Sequence, residues 1–138
     1  AALARDAAQR LLANDAVAQA LGIEIRDVAP GRATAVLRIG PQLLNGHGSG
    51  HGGYLFLLAD TAFAFACNTY GEPAVARACE IEFLRPAAAG DVLHAVAEER
   101  VRSGRSGIYD VTIRRDDGTV VAEFRGHSRV VGASALRR

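Results

Sequence analysis

The chain has 138 residues, a length that fits one domain able to bury a core of its own. Apolar residues make up 49% and charged residues 22%, which excludes a disordered or fibrous chain. The formal net charge is +1 with both signs interspersed, so no nucleic-acid partner is expected.

Residues 2–20 are rich in Ala, Leu, Gln and Arg, with Leu3, Ala7, Arg10 and Leu11 at mixed helical spacing. This predicts a helix, broken at Asn14-Asp15 and stopped at Gly22. Residues 23–28 alternate in polarity, and residues 33–39 alternate again, with Ala35, Leu37 and Ile39 on one side. Ala29-Pro30-Gly31-Arg32 turns between them, which predicts a hairpin. Residues 40–53 read as loop, with Pro41 and six glycines. Residues 54–70 make a central apolar helix, ended by Gly71-Glu72-Pro73. Four β-rich runs follow, at about 74–83, 91–102, 106–115 and 120–131. Asp117-Gly118 between the last two is a strong hairpin signal.

A helix that is apolar nearly all round must be covered on most of its faces. An antiparallel sheet wrapped around it does that. The predicted class is therefore α+β, one domain over residues 1–138 with residues 1–20 as a helical extension. The most apolar run, residues 54–67, falls short of the roughly twenty residues needed to span a bilayer and carries Asp60. No membrane partner is expected, and no signal peptide is expected at the start of the chain. Cys67 and Cys79 sit in apolar company outside any CxxC pair, which predicts free thiols and a reducing cytoplasm.

Asp60 lies in Leu57-Leu58-Ala59-Asp60-Thr61-Ala62-Phe63, where an unpaired carboxylate is costly. Either it occupies a thin exposed stripe or pairs with an Arg, or it faces a cleft as base or nucleophile with its pKa raised by its neighbours. His51-Gly52-Gly53 stands where the loop becomes the helix. The first N–H groups of a helix have no partner within it, and the positive end of its dipole lies there. Two glycines admit a ligand close to the backbone, a setting for a carbonyl oxygen that becomes an oxyanion. A flexible approach to the helix is the plainer reading. Gly52 and Asp60 are eight residues apart, about 12 Å along a helix. That is too far for one reacting atom to touch both groups. If both serve one site, two antiparallel helices from two chains supply it, which predicts a homodimer with two shared sites.

Asn45 either orients the attacking water or the Asp60 carboxylate, or is a turn residue. His47 and His51 are four apart in Gly-rich loop with no nearby acidic or Cys ligand, so no metal site is predicted. Ser49 is not on a strand-to-helix elbow, and no G-K-[ST] follows the glycines, which argues against a Ser nucleophile and a P-loop. His51 is expected to support the loop by hydrogen bonds.

The stretch Leu43-Leu44-Asn45-Gly46-His47-Gly48-Ser49-Gly50-His51-Gly52-Gly53, with Leu58-Ala59-Asp60-Thr61-Ala62-Phe63-Ala64 and Asn68 after it, resembles the PaaI-type thioesterases of the hotdog superfamily. Cys79, Phe83-Leu84-Arg85-Pro86-Ala87 and Gly104-Arg105-Ser106-Gly107-Ile108-Tyr109-Asp110-Val111 extend the resemblance over roughly residues 21–131. The resemblance implies a hotdog fold and hydrolysis of aryl-acyl-CoA thioesters, such as phenylacetyl-CoA or hydroxyphenylacetyl-CoA. It implies Asp60 as base or nucleophile, Gly52 or Gly53 N–H on the thioester carbonyl, His51 supporting the loop and Asn45 placing water or substrate. It also implies a tetramer of two dimers, and no cofactor beyond the coenzyme A of the substrate. Some relatives carry a Ser or Thr in the strand after the central helix. Here the matching stretch is Ala76-Arg77-Ala78, which leaves Thr61 as a candidate for that part. Arg105 and Ser106 are placed to meet CoA phosphates by charge-assisted bonds, with Arg85 and Arg125 behind them.

Two other readings stand beside this one. A dehydratase or hydratase of the same fold would act on acyl thioesters, though its His-and-acid motifs are spaced differently. A non-catalytic acyl-CoA binding module would use Asp60 only as a structural acid.

Overall fold

The computed structural model describes residues 1–132. Helices α1 (Ala2–Asn14) and α2 (Ala16–Leu21) precede a hairpin of β1 (Glu24–Ala29) and β2 (Arg32–Arg38). A short 3-10 turn (Pro41–Leu43) and a loop lead into α3 (Gly52–Cys67). Strands β3 (Ala74–Phe83), β4 (Val92–Ser103), β5 (Ser106–Arg115) and β6 (Val120–Val130) complete the chain.

The predicted order holds, and its breaks have local causes. Asp15 ends α1 and caps α2, accepting from the Ala18 N–H at 2.9 Å. Gly22 closes α2 at φ +71°, a left-handed value that glycine adopts without penalty. α3 departs from expectation at both ends. It starts at Gly52 because the His51 side chain caps it, so the two glycines form its first turn. It stops at Cys67 because the Asn68 amide donates to Ala64 O and Ala74 O and accepts from the Ala74 N–H. That ties the end of the helix to the start of β3.

All five strand pairings are antiparallel, in the order β1-β2-β4-β5-β6-β3. β3, adjacent to α3 in sequence, is thus carried to the far edge of the sheet. One face of the sheet presents Ala33, Ala35 and Leu37 from β2, Leu93, Ala95 and Ala97 from β4, Tyr109, Val111 and Ile113 from β5, and Phe124 from β6, all buried. α3 lies across that face and buries Leu55, Leu58, Ala59, Ala62, Phe63, Phe65 and Ala66 on it.

The closest approach is at Gly126 of β6. A Cβ there would stand 2.8 Å from the Phe63 ring, so only bare backbone fits beneath the ring. Phe63 packs in turn on Phe124 and Tyr109, with ring centroids 5.9 and 5.6 Å apart. The sheet wraps one side of α3, not most of it: Phe56, Leu57, Asp60, Thr61 and Ala64 stay half-exposed. Among the described residues no helix is long and apolar enough to cross a membrane.

Gly126→Ala should destabilise the fold by about 1–3 kcal/mol through overpacking. Thermal denaturation followed by circular dichroism will show it as a lowered midpoint with unchanged helix content.

Candidate active site

The Gly-rich loop is tightly tied rather than loose. Leu44 and Gly50 form an isolated bridge, and the Asn45 N–H donates to Ser49 O at 2.7 Å. The Gly50 N–H donates to Ala87 O at 2.7 Å, and the His51 N–H to Leu43 O at 2.8 Å. The loop is therefore pinned to two flanking segments just before α3 begins.

Asn45 organises this loop from within. Its Oδ1 accepts from the His47 N–H at 2.9 Å and the Ser49 N–H at 3.2 Å. Those bonds fix which end of the amide is oxygen and leave its NH2 group without a partner among the described residues. Asn45 is thus a turn residue that also retains two donors.

His51 does for the helix what Asn45 does for the loop. Its Nδ1 accepts from the Gly53 N–H at 2.9 Å, which places the ring proton of the neutral form on Nε2. The Tyr54 and Leu55 N–H groups turn to His51 O at 2.9 and 3.3 Å. Of the unpaired donors at the start of α3, the Gly52 N–H alone then has no partner among the described residues. The structure separates the two glycines, with Gly53 engaged and Gly52 free.

Asp60 sits two turns further along α3, half-buried. Its carboxylate has neither ion pair nor hydrogen bond among the described residues. The pairing with an Arg, one of the two structural roles open to it, is therefore absent within the described chain. Burial pushes its pKa above the ordinary carboxylate value. Thr61, beside it, donates its hydroxyl to Leu57 O at 2.7 Å, so that proton is spent on the helix backbone.

Gly52, Phe56 and Asp60 recur every four residues along one edge of α3, about 6 Å apart. Phe83, Ile81 and Cys79 recur every two residues on the helix-facing side of β3, about 6.6 Å apart. The two rows run alongside each other. The Phe83 ring tip lies 3.2 Å from where a Gly52 Cβ would be. Phe56 packs edge-on to Phe124, the β6 partner of Ile81, with centroids 5.4 Å apart. The charge of Asp60 adds to burial in raising the Cys79 thiol pKa. A half-exposed seam therefore runs from the free Gly52 N–H to the unpaired Asp60.

The remaining predicted residues fall at opposite ends of this seam. Arg85 follows Phe83 at the Gly52 end, its N–H donating to Val121 O at 3.2 Å. Arg105 and Ser106 lie at the β4–β5 turn and line a small cleft with Cys67 and Tyr70, at the far end of α3. Ser106 also borders an open groove of about 350 Å³ with Arg77 and His127. Arg125 is not free for phosphate: it holds Asp110 by two bonds of 2.7 and 2.9 Å on the outer face of the sheet. Cys67 and Cys79 are free thiols, with burial pushing Cys67 up to about 12. No cluster of three or more metal-binding side chains occurs among the described residues.

Phe83 carries part of the family resemblance in the sequence, but nothing there gives it a place at the site. Strand alternation turns it toward the helix, but only the sheet order shows which turn of α3 it meets.

The thioesterase superfamily pattern matches residues 47–122, the segment holding the loop's end, α3, strands β3 to β5 and the start of β6. The acyl-coenzyme A thioesterase PaaI of Escherichia coli is 49% identical over 127 residues, covering 92% of this chain and 91% of that protein. Its structure superposes with a TM-score of 0.93 over 94% of each chain. A variant of the phenylacetic acid degradation protein PaaI from Thermus thermophilus is 39% identical, with a TM-score of 0.81, over 85% of this chain and all of that one. A hypothetical thioesterase protein from Streptococcus pneumoniae, solved with coenzyme A, is 26% identical, with a TM-score of 0.76, over 80% of this chain and 89% of that one. The chain belongs to the thioesterase superfamily, in its PaaI-type branch, and is a thioester hydrolase with the hotdog fold.

Because its folded pKa is raised, the Asp60 carboxylate detracts from stability once the pH rises through that value. Asp60→Asn should therefore raise the melting temperature at pH 7–8. The gain should shrink toward zero below about pH 4, where the unfolded group is also protonated. A melting series against pH will show whether the gap opens in that direction.

Proposed function

We propose that this chain hydrolyses acyl-CoA thioesters, preferring aryl-acyl groups such as phenylacetyl-CoA or hydroxyphenylacetyl-CoA, at a site shared between two subunits. The observation that carries the reading is the pair of unused groups on one helix, the Gly52 N–H and the Asp60 carboxylate. One donates to a developing oxyanion and the other accepts a proton, and eight residues separate them. The Escherichia coli relative named as an acyl-coenzyme A thioesterase and the Streptococcus pneumoniae structure holding coenzyme A support this substrate class.

The half-exposed edge of α3 and the free outer edge of β3 support a dimer in which two α3 helices lie antiparallel. The Gly52 end of one helix then faces Asp60 of the other. Arg105 and Ser106 come to each site with Asp60, and Arg85 comes with Gly52, so phosphate contacts are drawn from both chains. Asn45, with amide donors to spare, holds water or substrate at the loop. The PaaI-type resemblance supports a tetramer of two such dimers.

In the reaction, the Gly52 N–H and the α3 dipole polarise the thioester carbonyl. Asp60 removes a proton from water as its oxygen attacks the carbonyl carbon. The tetrahedral intermediate collapses, the C–S bond breaks, and the Asp60 proton passes to the departing CoA sulfur. Coenzyme A is part of the substrate, and the scheme uses no metal or cofactor. A raised pKa makes Asp60 a stronger base near neutral pH, in keeping with this route. Single turnover in oxygen-18 water should leave the Asp60 carboxylate unlabelled; label there would show an anhydride instead.

Asp60→Asn should lower kcat for thiol release by at least about a hundredfold. The shared site predicts more. Gly52→Pro removes the free N–H at a first helical position that tolerates proline, after a residue already extended at ψ 130°. Each variant alone should be inactive. Random mixing at equal amounts makes half the dimers hybrid, each with one intact site, restoring about a quarter of the original activity. No recovery on unfolding and refolding the two variants together would rule out the shared site.

A further inference from the structure

Phe83 holds an unusual place for a large aromatic side chain. It ends the edge strand β3 with its side chain on the helix side of the sheet, yet it is 52% exposed. Phe124, on the same face one strand in, is 2% exposed. The Phe83 ring is held from one side by Gly52, whose missing Cβ leaves room for the ring tip at 3.2 Å. Any side chain at position 52 would press on that ring. Gly52 therefore serves two purposes: its N–H is free, and its bare Cα seats an aromatic face beside that N–H.

A carbonyl oxygen accepting from the Gly52 N–H would lie about 2.9 Å from that nitrogen. The carbon chain on that carbonyl then starts within van der Waals reach of the Phe83 ring. Phe56, one turn along α3 and also half-exposed, continues the aromatic surface down the seam. Aromatic rings prefer edge-on or offset contact with another ring, and such contact adds to simple burial. An acyl group bearing a ring one carbon from its carbonyl matches this arrangement better than a straight alkyl chain, which gains burial alone.

We propose that Phe83 is the residue that selects aryl over alkyl acyl groups, by stacking on the acyl ring of a thioester held at the Gly52 N–H of the same chain. The proposal rests on the thioester reading of Gly52 given above. It assigns to Phe83 discrimination between substrates and no part in moving protons.

The test compares kcat/KM for phenylacetyl-CoA and hexanoyl-CoA in the unaltered protein, Phe83→Leu and Phe83→Tyr. Phe83→Leu keeps an apolar side chain and removes only the ring, so the aryl-to-alkyl ratio should fall about tenfold. Phe83→Tyr keeps the ring face and should hold the ratio within about twofold of the original. Equal losses on both esters in Phe83→Leu, or an unchanged ratio, would overturn the proposal and show Phe83 to be part of the subunit contact alone. An unaltered protein that prefers hexanoyl-CoA would instead overturn the aryl reading of the substrate, and this proposal with it. The ratio is read within each variant, so any loss of stability at the β3 edge acts on both esters alike.

Discussion

The contact on which this fold depends is the one between the Phe63 ring and the bare backbone of Gly126. It decides how deep α3 lies on the sheet. A second bare position, Gly107, lies under Tyr109 and Ser128, where a Cβ would be 2.9 and 2.7 Å from their side chains. The helix lies chiefly across β2, β4 and β5, meets β6 at the bare Gly126, and buries its large residues against a face made mostly of Ala, Val, Leu and Ile. A helix held so close to a single sheet is covered on that side only. Its flank beside the outermost strand β3 is left half-open, and that is where Gly52, Phe56 and Asp60 stand in a row.

The start of α3 shows how little material is needed to leave one donor free. His51 enters the helix in extended conformation, turns its own ring back, and takes the Gly53 N–H. The loop before it is fastened at Leu43 and Ala87, so the cap cannot drift away from the helix. A hydrogen-bonded cap is worth about 1 kcal/mol to a helix. Here the cap also narrows the set of donors available to a ligand, leaving the Gly52 N–H at the positive end of the dipole. The chemistry assigned to that position follows from the capping pattern as much as from the glycine pair.

Much of this was legible in the sequence, and the illegible part has definite causes. The strand runs, the Asp117-Gly118 hairpin and the break at Asn14-Asp15 are local signals, and the folded chain keeps them to within a residue or two. Asp60 stands out in the sequence because a carboxylate in an apolar helix is conspicuous, and helix geometry alone separates it from Gly52 by about 12 Å. What local patterns do not carry is strand order. Nothing between residues 74 and 83 says that this strand will lie outermost, beside β6, with Phe83 against the first turn of α3. The division of labour between Gly52 and Gly53 was equally hidden, because it turns on the rotamer of His51. Arg125 was misplaced for a related reason: its partner Asp110 lies fifteen residues away on the neighbouring strand, and only the β5–β6 register brings them together.

The spacing of Gly52 and Asp60 along one rigid rod has a consequence for how such a gene can diverge. In the shared-site dimer proposed above, each chain would contribute an oxyanion donor to one centre and a base to the other. After duplication, one copy can lose the base and the other the donor, and the pair still assembles one working centre. Neither copy then survives the loss of its sibling. On that reading, a homodimer with its two functional groups set this far apart on a single helix would be poised to become an obligate heterodimer, with one centre active and the other free to decay or to take on a different ligand.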